Sequence, residues 1–175
     1  MTTDALQAAP VARPTLRFLF SHPAHFLALG CGSGMSPIAP GTVGTFWAWA
    51  AYLVLASWCS PATIGWVLLA LLVVGWWSST VAARRLRVLD PGWIVVDEVV
   101  AFWIVLWLWM PASFWGQLVA FALFRFFDAV KPGPVRWADN LFHGFGWRGG
   151  LGIMLDDLVA AFCTLLVLAL WRTIA

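Results

Sequence analysis

The chain has 175 residues, of which 62% are hydrophobic and only 10% are charged. Soluble domains carry about a quarter of charged residues, so the composition excludes an ordinary soluble globule and indicates a protein embedded in a lipid bilayer. The net charge of +2 is too small to indicate a nucleic-acid-binding protein. The three cysteines, Cys31, Cys59 and Cys163, fit no metal-ligand spacing and are interpreted as packed thiols.

The N-terminal part of the chain changes from polar to aromatic. Residues 1–15 have the composition of a disordered tail, and residues 16–175 are expected to form a single integral-membrane domain. The sequence of residues 14–45 favours an interfacial aromatic helix followed by a loop rich in glycine and proline.

Five apolar segments follow, and they predict membrane-spanning helices. They comprise residues 44–58, 62–83, 95–110, 114–130 and 153–171. A helix needs about 20 residues to cross the hydrocarbon core of a bilayer. Several of the segments are shorter, so the polar residues near their ends must belong to the helices.

The basic residues indicate how the segments are oriented. If five spans alternate in direction, the N-terminal region and the charged connections 84–93 and 131–150 lie on one face. Every Lys and Arg outside the spans except Arg172 is then on that face, which the positive-inside rule makes cytoplasmic. The predicted fold class is an all-α membrane protein, a compact bundle of four to five transmembrane helices with a cytoplasmic-side polar site.

Carboxylates occur near the cytoplasmic ends of three predicted spans. Asp97, Asp128 and Asp157 each lie about 20 Å from the opposite end of their segment, at 1.5 Å per residue. Glu98 and Asp156 are their immediate neighbours. An ionised residue at the centre of a membrane helix costs roughly 2.5–3.5 kcal/mol, and less toward the edge. Five acids at one depth therefore indicate either a functional site or a set of ion pairs that fixes helix packing.

The stretch FRFFDAVKPGP, residues 124–134, adds two basic residues to this layer. Arg125, Asp128 and Lys131 follow at steps of three, which places them in one sector of a helix, and Pro132 ends that helix. Oxygen ligands without His or Cys favour a hard ion such as Mg²⁺, which commonly binds phosphate as well. The residues thus predict metal and phosphate chemistry at the inner interface.

A second polar stretch, GCGSGMSPIAPGTVGT, runs from Gly30 to Thr45. Glycine-rich turns with Ser and Thr present backbone N–H groups to phosphate, so Ser33 and Thr42 are candidate phosphate-binding residues. The alternative is a tight loop that enters the first span, and the P-loop pattern with its lysine is absent from the sequence. The stretch GWRGGLG before Asp156 predicts another flexible segment, either a lid or a linker.

Histidines and arginines on the same face are further candidates. His25 and His143 are potential contacts of the site, although a lone histidine is commonly structural or solvated. Arg84, Arg85 and Arg87 are most simply topology determinants near anionic headgroups, with a substrate role as the alternative.

Four motifs, in order, resemble those of phosphatidylglycerophosphatase A, a family of bacterial membrane phosphatases. They are GSGMSPIAPGTVGT, IVVDE with Asp97 and Glu98, FRFFDAVKPGPVRWAD, and GGLGIMLDDLVA with Asp156 and Asp157. The resemblance covers residues 25–161. It implies Mg²⁺-dependent removal of the terminal phosphate from phosphatidylglycerophosphate, giving phosphatidylglycerol at the bacterial inner membrane, with the active site facing the cytoplasm.

The resemblance also suggests a role for each polar residue. Asp128 is another metal ligand, the group that orients or deprotonates water, or a nucleophile that forms an aspartyl phosphate. The expected Mg²⁺ ligands are otherwise Asp97, Glu98, Asp156 and Asp157. The expected substrate-phosphate-binding residues are Lys131, Arg125, Thr42, Ser33 and His25.

Other functional classes remain open at this point. The same charges would suit an ion or proton pathway in a small transporter, although the far halves of the spans are nearly free of charge. A non-catalytic membrane assembly protein is a third interpretation. Among enzymes, a CDP-alcohol phosphotransferase also aligns membrane aspartates, but its DGxxAR-type signature is not found in the sequence.

Overall fold

The computed structural model describes residues 13–142 and 144–174, which form helices and connecting loops with no strand in these ranges. The all-helical prediction is therefore confirmed. In chain order the helices are α1 (Leu16–Phe20), α2 (Pro23–Ala28), a 3₁₀ helix (Gly30–Met35), α3 (Pro40–Ala56), α4 (Pro61–Leu86), α5 (Val96–Trp109), α6 (Phe114–Val130), α7 (Pro134–Asp139) and α8 (Trp147–Ile174).

The region before α3 is more helical than the sequence suggests. The expected aromatic helix is present as two short helices, α1 and α2, and the expected loop contains a 3₁₀ helix. The predicted tail over residues 1–15 lies mostly outside the described residues.

Local sequence signals set the starts of the long helices. Pro61 is the first residue of α4, where its missing N–H costs no helical hydrogen bond. The hydroxyl of Ser60 accepts from the Thr63 N–H at 3.2 Å, and that of Ser113 accepts from the Gly116 N–H of α6 at 3.2 Å. Such caps bond N–H groups that have no partner within the helix. They explain why the predicted spans 62–83 and 114–130 begin within one residue of α4 and α6.

Helices α5 and α8 form the centre of the bundle. Helix α5 packs against α3, α4, α6 and α8, and α8 also contacts α4, α6 and α7. Phe102 and Leu106 of α5 are fully buried, together with Phe124 of α6. A helix that is apolar on all sides is typically buried inside a protein. Because α5 is central, the helices that pack against it surround the acidic residues of its first turn.

Two of the helices are long and apolar enough to cross a membrane. Helix α4 has 26 residues with a mean hydropathy of 1.8, and α8 has 28 residues with a mean hydropathy of 2.3. On α4, Trp66, Leu69 and Val73 form an exposed apolar stripe. Exposed apolar surface of this kind marks contact with lipid or with another protein, and together with the helix lengths it indicates a membrane protein.

The flexible segment predicted for GWRGGLG is wrong, because residues 147–152 are the first turns of α8. The glycines allow close packing there. A Cβ atom at Gly150 would collide with Thr80 Oγ1, and one at Gly149 would collide with the carbonyl oxygen of Gly144. This packing offsets the cost of about 1 kcal/mol that a glycine imposes on a helix.

Candidate active site

The predicted carboxylate layer is assembled from three helices. Asp97 and Glu98 lie in the first turn of α5, Asp128 near the end of α6, and Asp156 and Asp157 in α8. The charge of Asp97 interacts with that of Asp156, and the charge of Glu98 interacts with that of Asp128. Asp157 interacts with both Asp97 and Asp128. The structure thus brings these five residues together, and we call them the acidic cluster.

Most of the acidic cluster is hidden from solvent. Asp97, Glu98, Asp156 and Asp157 are all buried, and Asp157 is only 3% exposed. The Asp97 Oδ1 accepts the backbone N–H of Glu98 at 3.0 Å, and both residues lie at the positive end of the α5 dipole. Carboxylates are almost never this buried unless they are paired, so the partners of each oxygen define the site.

Arg125 connects the acidic cluster to α3. Its Nη1 donates to Glu98 Oε1 at 3.1 Å, to the Asp128 carboxylate, and to Thr45 Oγ1 at 3.3 Å. A guanidinium group has several donors in a rigid plane, which suits a position between three helices. The spacing of three residues between Arg125 and Asp128 did place them on one face of α6, as expected.

Thr45 is a neighbour of the site that the sequence did not single out. Its buried hydroxyl donates to the Gly41 carbonyl oxygen at 2.9 Å while it accepts from Arg125. Thr42, the predicted residue, is half-buried one turn earlier on α3. Thr45 lies four residues after Gly41 and therefore on the same face of α3. This spacing alone does not identify Thr45 as a neighbour of the site, because it does not show which helix that face contacts.

Lys131 does not share the helical sector of Arg125 and Asp128, which corrects that part of the spacing argument. It follows α6 with a left-handed φ of 48°, so its side chain leaves the helix. Its Nζ donates to Asp139 and to Asp156, each at 2.6 Å. Burial acts to lower the pKa of Lys131, but these two hydrogen bonds outweigh it and raise the pKa. Lys131 therefore stays charged and links α6, α7 and α8.

Asp139 is a second residue that the sequence did not single out. It ends α7, half-buried, within the motif FRFFDAVKPGPVRWAD. No periodic spacing relates it to Lys131, because the turn between α6 and α7 separates the two residues. Only that turn brings its carboxylate to the ammonium group.

Three oxygens of the acidic cluster are buried without a hydrogen-bond partner among the described residues. They are Glu98 Oε2, Asp156 Oδ1 and Asp157 Oδ2. An ionised oxygen buried without a partner is costly, and buried polar groups in native proteins are nearly always bonded. These three atoms therefore mark positions where a cation, a proton or a bound group would complete the site.

The oxygen donors of the acidic cluster also bear on whether it can hold Mg²⁺. Over residues 13–142 and 144–174, no set of three or more His, Cys, Asp or Glu side chains is arranged to hold a metal ion as it stands. Mg²⁺, however, is usually bound by only one or two carboxylates and completes its shell with water and phosphate. The all-oxygen donors and the unpartnered atoms of Glu98, Asp156 and Asp157 fit such an ion.

The glycine-rich stretch borders the acidic cluster at the start of α3. A Cβ atom at Gly41 would collide with Glu98 Oε1 and lie 3.0 Å from Arg125 Nη2. A Cβ atom at Gly44 would lie 3.2 Å from Glu98 Oε2. Helix α3 has no side-chain cap, so its first-turn N–H groups lack that partner. Only glycine permits this close approach of α3 to the cluster.

In the described part of the chain, the bonds of Ser33 and His25 lead away from the acidic cluster. Ser33 donates to a carbonyl oxygen of its own 3₁₀ helix at 2.8 Å. His25 is buried, and its Nδ1 is bonded to Ser21 Oγ at 3.0 Å and to the Phe18 carbonyl oxygen at 3.1 Å. Burial lowers the pKa of His25. Their phosphate-binding role stays a prediction, and His143 lies outside the described residues.

Comparison with known proteins gives one consistent family. The phosphatidylglycerophosphatase A family model matches residues 26–172. Phosphatidylglycerophosphatase A of Escherichia coli (strain K12) is 39% identical over 150 residues, covering 82% of this chain and 80% of that protein. The protein of the same name from Haemophilus influenzae is 36% identical over 167 residues, covering 88% and 91%.

A third relative carries a different name. A Bacteroides thetaiotaomicron protein, provisionally named a phosphatidylinositol-3-phosphatase, is 37% identical over 152 residues, which cover 83% of this chain and 91% of that protein. No solved structure matches the chain. The matched range of the family model includes the whole acidic cluster, Arg125 and Lys131, which confirms the resemblance carried by the motifs. The chain belongs to the phosphatidylglycerophosphatase A family.

Proposed function

We propose that the chain is a lipid phosphatase that hydrolyses phosphatidylglycerophosphate to phosphatidylglycerol and inorganic phosphate at the acidic cluster. The family and the two relatives of that name support the activity. The observation that carries the location is the set of buried, unpartnered carboxylate oxygens beside two basic side chains. Hydrolysis breaks the bond between phosphorus and the glycerol oxygen, and water supplies the new oxygen.

Mg²⁺ is the proposed cofactor. Asp97, Glu98, Asp156 and Asp157 would hold it. The last three each have a buried oxygen without a partner among the described residues, and Asp97 lies beside Glu98 and Asp156. When bound, Mg²⁺ neutralises charge on the phosphoryl group and activates water. Asp128 is a further candidate ligand because its charge interacts with those of Glu98 and Asp157.

The basic residues would neutralise the substrate phosphate, which is the main requirement in phosphoryl transfer. The buried Nε of Arg125 has no partner among the described residues, so its N–H could donate a hydrogen bond to a phosphate oxygen. Lys131 keeps its charge but is bonded to Asp139 and Asp156. Substrate binding would therefore exchange one of these carboxylates for a phosphate oxygen.

The start of α3 would hold a phosphate oxygen on the other side of Arg125. The backbone N–H groups at Gly41 and Thr42 belong to the first turn of a helix without a side-chain cap. Such N–H groups and the helix dipole favour an anion. The position of Arg125 Nη2, 3.0 Å from a Cβ atom placed at Gly41, supports this placement, and it gives Thr42 its proposed role.

Asp128 has two chemical roles open to it. Its carboxylate is paired with Arg125, an arrangement that would hold it in place either to orient and deprotonate water or to attack phosphorus as a nucleophile. Trapping an aspartyl phosphate would establish the nucleophile. Labelled water entering the released phosphate in a single turnover, with no trapped intermediate, would establish the water route.

The proposed setting is the bacterial inner membrane, with α3, α4, α5, α6 and α8 as spans and the acidic cluster near the cytoplasmic side. Helices α4 and α8 have the required length, whereas α5 and α6 have 14 and 17 residues. Short spans are accommodated by local thinning of the bilayer. The excess of basic residues at the cluster end, with Arg172 at the other, supports the orientation.

Phosphate release from purified protein in detergent tests the proposal. The substrates are phosphatidylglycerophosphate, phosphatidic acid and phosphatidylinositol 3-phosphate, each with Mg²⁺ or with EDTA. We expect Mg²⁺-dependent release that is fastest from phosphatidylglycerophosphate. Absence of release from all three lipids would refute the enzyme assignment, and a preference for the inositol lipid would refute the substrate assignment.

A further inference from the structure

A cavity with basic side chains in its lining lies between α2 and the end of α4. It has a volume of about 510 Å³ and is lined by Ser21, His22, His25, Val81, Arg84 and Arg85. We call it the basic cavity. None of these lining residues is acidic, and among the described residues neither arginine forms an ion pair. Two guanidinium groups therefore share one cavity, and no acidic side chain of the described residues lines it.

His25 has a fixed orientation in the wall of the basic cavity. Its ring stacks on Phe18 with centroids 4.0 Å apart, and its Nδ1 is bonded to Ser21 Oγ and to the Phe18 carbonyl oxygen. No described residue bonds to the other ring nitrogen, Nε2. His25 is only 4% exposed. It is therefore a fixed part of the cavity wall, and its Nε2 is the polar atom that a ligand could contact.

Arg84 is also positioned by its surroundings. A Cβ atom at Gly146 would lie 2.9 Å from Arg84 Nη2, so the segment before α8 packs directly on the guanidinium group. Arg84 and Arg85 both lie in the last turn of α4, where the helix dipole favours a positive charge. That interaction explains why basic residues are tolerated there, but it does not supply an anion in the cavity.

The surroundings of the basic cavity have the composition of a membrane interface. The cavity is at one end of α4, a helix of membrane-spanning length, and the adjacent α1 exposes Leu16 and Phe20 by 65% and 72%. The ring of Trp77 is 6.0 Å from that of His22. Exposed apolar side chains beside aromatic and basic residues are typical of the membrane interface.

We propose that the basic cavity binds the phosphate group of an anionic phospholipid headgroup, at a site distinct from the acidic cluster. Arg84 and Arg85 would donate charge-assisted hydrogen bonds to the phosphate oxygens, and His25 Nε2 would face the same group. Free inorganic phosphate has the same chemistry and is the alternative source of the ligand. The proposal does not depend on the phosphatase activity.

Binding of short-chain lipids to the full chain in detergent tests the proposal by calorimetry. The probe is dioctanoyl phosphatidylserine, which is anionic and is neither proposed substrate nor proposed product, and dioctanoylglycerol, which lacks the phosphate group, is the comparison lipid. We expect phosphatidylserine to bind at least about 10-fold more tightly. Arg84→Gln and Arg85→Gln should each weaken it about 10- to 100-fold, as expected for loss of a hydrogen bond to a charged group.

Arg87→Gln is the matched control, because it removes the same charge at the end of α4 outside the lining of the cavity. It should change the affinity less than about twofold. Equal losses in the Arg84, Arg85 and Arg87 variants would show attraction to general surface charge and refute the cavity site. Equal affinity of wild-type protein for the two lipids would also refute it.

Three further measurements separate the ligand sources and control for folding. Displacement of phosphatidylserine by inorganic phosphate at comparable concentration would assign the cavity to free phosphate, and failure to displace it would assign the headgroup. Arg85→Lys keeps the charge but loses the planar fork, so its affinity should fall between those of wild type and Arg85→Gln. A bound anion should also raise the pKa of His25 in an NMR titration while the circular-dichroism spectrum stays unchanged, a control that is needed because unfolding would raise the same pKa.

Discussion

Two groups of buried polar side chains near opposite ends of α6 differ in how completely they are bonded. At one end, Trp49 Nε1 donates to Gln117 Oε1 at 2.7 Å, and Gln117 Nε2 donates to the Ala112 carbonyl oxygen at 3.0 Å. At the other end, the acidic cluster keeps unpartnered oxygens on residues such as Glu98 and Asp157. Polar groups buried for stability are normally satisfied, so the contrast distinguishes a structural pair from a ligand site.

The contrast also predicts opposite responses to mutation. A satisfied pair stabilises the fold, and its removal should cost stability while sparing the chemistry. Buried carboxylate oxygens without a partner cost folding free energy, which the apolar packing of α5 and α8 offsets. Neutralising Asp157, which forms no ion pair with another described residue, should therefore remove activity without destabilising the protein.

The largest effect is expected for Asp157→Asn. This change keeps the shape of a residue that is 3% exposed, but it removes the charge of a carboxylate whose Oδ2 has no partner among the described residues. Phosphate release should fall about 1,000-fold, the upper range for loss of one electrostatic group at an active site. The melting temperature should stay the same or rise. Full activity in this variant would contradict a role for Asp157 in the site.

Gly41→Ala should be next in size. The added methyl group would collide with Glu98 Oε1 and push the carboxylate or α3 out of position, and misplacement by about 1 Å typically costs 100-fold in rate. Gly92→Ala is the matched control, since a Cβ atom there has nothing within 4 Å. Phosphate release by both variants, normalised to folded protein, checks the difference, and similar losses in the two would argue against the contact.

Lys131→Gln should reduce activity by about 10-fold, because one charge-assisted contact to phosphate is worth about 1.5 kcal/mol. The pH dependence of its stabilising effect has a definite sign. The pKa of Lys131 is raised in the folded protein, so the stabilisation is fully present below about pH 10.5, the ordinary lysine pKa, and is lost as pH rises through the folded value. Melting curves of both proteins from pH 7 to pH 12 test this, and a difference that disappears at pH 8 would contradict it.

Gln117→Leu should have little effect on activity and a clear effect on stability. It leaves the buried Trp49 Nε1 without its acceptor, which costs about 1–3 kcal/mol. Activity per folded molecule should stay within about twofold, because Gln117 is far along α6 from Asp128. A large loss of activity at full stability would mean that the two ends of α6 are not separate in function.

The smallest effect is expected for His25→Gln. Burial holds the pKa of His25 below its usual range, and the nearby charges of His22 and Arg85 act in the same direction. Stability should therefore fall as pH drops below about 6.5, because the unfolded chain binds the proton more readily. The variant should lose less stability between pH 7 and pH 5, by a difference of less than about 2 °C in melting temperature. A steeper loss in the variant would contradict the sign.

Much of the site could be predicted because depth along a helix depends only on residue number. Counting residues placed Asp97, Asp128 and Asp157 at one level, and the structure brings them together. The direction in which a side chain points around a helix was harder to predict from the sequence. Lys131 left the expected sector because a left-handed residue ends α6, and its bond to Asp139 depends on that turn.

The fold was predicted best where apolar length and capping residues agree. The segment 114–130 coincides with α6, and 62–83 lies within α4. The glycines before Asp156 misled the prediction, because the contacts of Gly149 and Gly150 with other parts of the chain are invisible to local propensity. Thr45 was missed for the same reason, since only the facing Arg125 identifies it.

The Mg²⁺ dependence of phosphate release in wild type and Glu98→Gln tests the central claim most directly. If the unpartnered oxygens of the acidic cluster hold the ion, the Mg²⁺ concentration for half-maximal release of phosphate from phosphatidylglycerophosphate should rise at least about 10-fold in the variant. Release should stop in both proteins when EDTA is added. An unchanged half-maximal Mg²⁺ concentration, or release that persists in EDTA, would contradict the claim.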